Sequence, residues 1–66
     1  MILNKIAYWA EKKGMKHNYL AKECGVSVQT FSRWSKNKTQ PDLIQAYILS
    51  KLLDVPLIDL VEDKEN

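Results

Sequence analysis

The sequence predicts an all-α fold, a compact arrangement of five helices with a helix-turn-helix at its centre. Three observations predict it. Residues 17–34 carry small, apolar and turn-forming residues at the spacing two helices need to pack at a steep angle. Elsewhere apolar residues recur at three- and four-residue intervals, in segments ended by Gly14, Asn37 and Pro56. A chain of 66 residues makes one domain, spanning 1–66, of a size that buries about 60% of its unfolded surface.

Each element follows from its residues. In the first helix Ile2, Ile6, Trp9 and Ala10 share a face, and Gly14 ends the segment. Asn18 to Cys24 forms the second helix. Gly25 stops it by entering the left-handed conformation without steric cost. Ser27 then caps the third helix, Val28 to about Lys36, by accepting an orphan backbone N–H. Ala21 is small where the third helix approaches the second, and Leu20, Cys24, Val26, Phe31 and Trp34 supply the apolar contacts. Asn37 tolerates the left-handed cap nearly as well as Gly. Pro41 and Asp42 start the fourth helix, with Leu43, Ala46, Tyr47, Ser50 and Leu53 on its core face. Pro56 breaks that helix. Leu57 to about Val61 makes a last short helix with Leu57, Leu60 and Val61 inward, closing a core of residues 2–61, and residues 62–66 fray.

Composition narrows the function. No apolar run approaches the roughly 18 residues of a membrane span, and Met-Ile-Leu-Asn-Lys-Ile is too short and interrupted for a secretory signal. The protein is read as cytoplasmic. Cys24 and His17 are the only cysteine and histidine. They exclude an intrachain disulfide and a metal cluster, and Cys24 is read as a small apolar residue. No nucleophile has an evident His or acid partner, so neither enzyme nor cofactor is expected. The net charge of +2 conceals a division: residues 1–40 hold eight Lys or Arg against two Glu, giving +6, and residues 41–66 hold two Lys against six acids, giving −4. Positive potential therefore lies on the half that carries the motif, where phosphates would be met.

From Ile6 to Val61 the chain resembles the phage-repressor and Cro family, the Xre family, of five-helix DNA-binding domains. The resemblance rests on Gly14-Met15, Leu20-Ala21, Gly25-Val26-Ser27, Phe31-Ser32-Arg33-Trp34, Lys38, Pro41 and Leu53-Asp54-Val55-Pro56-Leu57. It implies a transcriptional regulator, a repressor, that binds double-stranded operator DNA as a dimer. Three positions depart from the family pattern. Lys16 and His17 stand where Ser or Thr and then Gln are common, Ser35 stands for Glu, and Asn37 for Gly. The first departure bears on the second helix's cap, though Lys16 and His17 remain able to reach a phosphate.

In the repressor-like arrangement the N-terminal residues of the third helix reach base edges in the major groove. Phe31 and Trp34 point inward, leaving Val28, Gln29, Thr30 and Arg33 as base-reading candidates. Gln29 can bond adenine and Arg33 guanine bidentately, and the methyl groups of Val28 or Thr30 suit thymine. Trp34 is assigned to the core, because duplex DNA offers an indole no unstacked base. His17 and Asn18, at a helix start that attracts anions, and Lys36, Asn37, Lys38 and Thr39, in the following loop, are phosphate candidates. Lys12, Lys13 and Lys22 are read as solubilising charges.

The fourth helix carries a second apolar stripe, Ile44, Ile48 and Leu52, extended by Ile58. A contiguous exposed apolar patch marks an association surface. The stripe predicts a two-fold homodimer, one that can form only on DNA if its interface is small. The alternative is an antitoxin or anti-repressor whose stripe meets a different protein.

Overall fold

Four α-helices form where the punctuation places them, but the two ends of the chain do something else. The computed structural model describes residues 1–64. Its elements are β1 (Ile2–Asn4), α1 (Ile6–Lys12), α2 (His17–Glu23), α3 (Val28–Ser35), α4 (Leu43–Leu53), a 3-10 turn (Leu57–Leu60) and β2 (Val61–Asp63). The fold is thus predominantly helical with a small sheet, and the all-α, five-helix expectation is corrected on both counts. Ile2 belongs to a strand, because the Asn4 side chain accepts the Ile6 N–H at 3.0 Å and starts the helix there. The last helix is a single 3-10 turn.

β1 and β2 pair antiparallel, with Ile2 opposite Asp63, Leu3 opposite Glu62 and Asn4 opposite Val61. Glu62 and Asp63, expected to fray, are therefore held in a strand. Lys64 N–H donates to the Met1 carbonyl at 2.8 Å. Glu65 and Asn66, the rest of the expected frayed tail, lie outside the described residues. A two-stranded ribbon is marginal alone, and this one rests on buried Leu60 and half-buried Leu3. Trp9 adds a tie from α1, its indole N–H donating to the Asp59 carbonyl at 2.8 Å.

The core lies where α1 to α4 converge. Ile6, Leu20, Phe31, Leu49 and Leu53 are completely enclosed, each such side chain contributing about 1.5–3 kcal/mol. Ala10 and Ala21 are equally buried, and Ala21 lets α3 approach α2 closely. The expected core face of α4 is corrected: Leu43 and Tyr47 are exposed, while Leu49, Ser50 and Leu53 are buried. The helix is apolar around its circumference, so its packing partners select the face, not its periodicity. Of the last three expected core residues only Leu60 is buried; Leu57 and Val61 reach solvent.

Each helix ends alike. Gly14, Gly25, Asn37 and Asp54 take positive φ, between 58° and 73°, and turn the chain out through paired bonds to the last helical turn. After α2, Gly25 N–H donates to the Lys22 carbonyl and Val26 N–H to the Ala21 carbonyl, both at 3.0 Å. This double bond pattern satisfies carbonyls the helix leaves orphaned. In three of the four ends the next residue, Met15, Val26 or Val55, packs back on the core. After α3 it is Lys38, exposed.

Candidate nucleic-acid interface

The sequence of α3 makes two faces. Phe31 and Trp34, three residues apart, are enclosed with ring centroids 5.8 Å apart. Trp34 is a core residue, as assigned from the sequence. The opposite face holds Val28, Gln29, Arg33 and Lys36, all exposed. Ser27 fixes the start of the helix by accepting the Thr30 N–H at 3.1 Å. Ser27 also donates its hydroxyl proton to Thr30 Oγ1 at 3.1 Å, and Thr30 is partly buried. The Ser35 hydroxyl donates to the Ser32 carbonyl at 2.8 Å and lies off the exposed face.

Around this face sit the other candidates. α2 begins at His17 after Lys16, whose side chain makes no capping bond. The His17 ring packs against Phe31 with centroids 5.0 Å apart, so the start of α2 is held against α3. Asn18 is exposed, its side-chain oxygen accepting the Tyr19 N–H at 2.9 Å. Beyond α3, Lys36, Lys38 and Thr39 are exposed. Lys38 N–H and Thr39 N–H both donate to the Arg33 carbonyl, at 2.8 and 3.4 Å, so the loop folds back over the end of α3.

Asn37 behaves differently from its neighbours. Its backbone takes the left-handed form expected, but its side chain turns inward, accepting the Asn4 N–H at 2.7 Å and donating to the Asn4 carbonyl at 3.2 Å. The Gln40 side-chain amide donates to Asn37 Oδ1 at 3.0 Å. The Asn4 amide donates to the Trp34 carbonyl at 2.8 Å and to Gln40 Oε1 at 2.6 Å. Sequence reasoning missed Asn4 and Gln40, because the bonds that tie Asn4 to Trp34, Asn37 and Gln40 join residues 30 or more apart along the chain.

The expected association stripe is divided. Ile44 is 67% and Ile58 75% exposed, whereas Ile48 and Leu52 pack partly buried against the core. Leu43 and Tyr47 are exposed in their place. An apolar groove lined by Leu3, Pro41, Ala46, Leu57 and Val61 runs beside them, between the sheet and α4.

A helix-turn-helix family model matches residues 6–60, spanning α1 through the 3-10 turn. The chain belongs to the Xre/Cro-like helix-turn-helix family. Among solved structures, this family member is similar to a Bacteroides fragilis protein assigned as DNA-binding. The TM-score is 0.90 and the identity 35%, over 94% of this chain and 100% of that one. It is also similar to the solution structure of the SOS-response transcriptional repressor LexA from Eubacterium rectale. There the TM-score is 0.77 and the identity 30%, over 91% of this chain and 64% of that one. A search of curated proteins finds no significant match. Among the described residues no helix is long and apolar enough to cross a membrane, and no group of three or more His, Cys, Asp or Glu is placed to hold a metal ion.

Proposed function

We propose that this chain is a sequence-specific regulator of transcription, a cytoplasmic repressor, that binds double-stranded DNA by laying α3 in the major groove. The observation that carries the reading is the face of α3 left by burial of Phe31 and Trp34, set in the basic half of a helix-turn-helix. Gln29 and Arg33 there present bidentate donors and acceptors suited to adenine and guanine, and Val28 and the Thr30 methyl suit thymine. His17, Asn18, Lys36, Lys38 and Thr39 grip phosphates on either side, which positions the helix without specifying sequence. The similarity to a LexA repressor supports the regulatory part.

The dimer belongs to the same proposal. Ile44, Ile58, Leu43 and Tyr47 are exposed apolar residues on the acidic half, and the two-fold seam is assigned to them, with Ile48 and Leu52 packed partly buried against the core. Two copies related by a two-fold axis would meet half-sites about 34 Å apart on one face of the duplex. The same surface would serve an antitoxin or anti-repressor reading, in which it meets a different protein.

Selection of bound duplexes from a random-sequence pool tests the function. The expected product is an inverted repeat with one-turn spacing, lost when both Gln29 and Arg33 are Ala. Failure to enrich any sequence contradicts the proposal. Enrichment of a single half-site removes the dimer alone.

A further inference from the structure

We propose that Asn4 is a positioning residue for DNA binding: through Asn37 and Gln40 it holds the 36–39 loop against the end of α3, so that the N-terminal strand sets the phosphate grip. The inference rests on the DNA-binding reading above. It begins with the pleat of β1. The Lys5 N–H donates to Leu60 and the Met1 carbonyl accepts from Lys64, so those residues bond toward β2. Alternation along the strand turns the N–H and carbonyl of Asn4 to the opposite edge. There the side-chain amide of Asn37 meets both, at 2.7 and 3.2 Å, standing in for the peptide group of a third strand.

The side chain of Asn4 completes the tie. Its oxygen accepts the Ile6 N–H, and its amide donates to the Trp34 carbonyl and to Gln40. One residue thereby bonds the start of α1, the last turn of α3 and both flanks of the loop that carries Lys38 and Thr39. Backbone conformation alone does not demand this arrangement. At φ 60° Gly is the residue of least cost, yet Gly at 37 would leave the Asn4 edge without its partner. Asn keeps the turn and adds the link. Lys38, the one residue after a helix end that is not returned to the core, is the group whose place the link fixes.

Asn37→Gly separates the two roles, since it preserves the turn while deleting the link. Binding to a random-sequence duplex, followed by fluorescence anisotropy across a salt titration, reads the phosphate contacts; Lys38→Ala serves as the reference. The expected result is a folded variant with a melting temperature close to wild type and affinity lowered about tenfold, the equivalent of one charge-assisted hydrogen bond. Its log–log salt slope should be shallower by about 0.9, one phosphate. Amide exchange in the free protein should show the Asn4 N–H losing protection. A variant that keeps the wild-type slope and affinity while Lys38→Ala loses them overturns the positioning role and leaves DNA binding intact. A lowered melting temperature with an unchanged slope in the folded protein likewise makes Asn37 merely structural. Should Asn37→Gly fail to fold, the slope of Asn4→Ala decides between the same outcomes. A wild-type slope near zero, unchanged by Lys38→Ala, sinks the DNA-binding reading and this inference with it.

Discussion

Helices α3 and α4 are built on opposite plans. α3 buries every large apolar residue except Val28 and turns a polar, cationic face outward; α4 buries Leu49 and Leu53 yet leaves Leu43, Ile44 and Tyr47 in solvent. The basic half of the chain lies with the first and the acidic half with the second. One surface is suited to a polyanion, the other to an apolar partner, and burial together with charge tells them apart. In so small a domain the function of a helix is read from the residues its core did not need.

The strongest way to break that contrast is through folding stability. Phe31→Ala in α3 and Leu49→Ala in α4 should each cost about 3–5 and 2–5 kcal/mol respectively, whereas Gln29→Ala and Ile44→Ala should stay within about 0.5 kcal/mol of wild type. Urea denaturation followed by circular dichroism checks all four. A large loss for Ile44→Ala would mean that the outer face of α4 is part of the core after all.

Affinity sharpens the α3 side. Arg33→Ala or Gln29→Ala should cost about 1–3 kcal/mol on the preferred site and relax the choice at one or two base pairs. Competition between duplexes bearing each base change is the measurement. Unchanged preference in both variants would place the reading surface elsewhere.

For α4 the expected effect is on assembly. Ile44→Lys or Ile58→Lys should abolish cooperative occupancy of a two-half-site duplex while preserving helical content and half-site binding, because a charge at a two-fold seam faces its own symmetry mate. Sedimentation with and without the duplex reads it. Occupancy one copy at a time in the unaltered protein would instead favour a heterologous partner.

The smallest effect comes from the buried side of α2. Burial, with the Glu23 carboxylate adding to it, pushes the Cys24 thiol above its ordinary value of 9.0. The folded state therefore holds its proton longer than the unfolded chain. Stability should be indifferent to this group below pH 9.0 and fall as pH rises from there toward the folded value. Cys24→Ala should flatten that part of the profile, and an unchanged profile would remove the thiol as its source.

What the sequence revealed was local. Gly25, Ser27 and the Phe31 and Trp34 pair lie within one helical hairpin, so their spacing specifies the turn, its cap and the inward face. The left-handed Asn37 was legible for the same reason. The strands were not: each has three residues, too few for an alternating pattern, and they pair across nearly the whole chain. α4 defeated periodicity because nearly every position is apolar, and only its packing against the other elements distinguishes Leu49 from Leu43. Asn4 and Gln40 look like ordinary polar residues until the fold sets Asn4 beside Asn37 and Gln40.

Whether the exposed cationic face meets phosphates is read by a salt titration of duplex binding by the unaltered protein and by Lys38→Ala. Affinity should fall steeply with salt, each neutralised phosphate adding about −0.9 to the log–log slope, and the slope should be shallower by about that amount in the variant. A slope near zero in the unaltered protein would contradict the phosphate contacts.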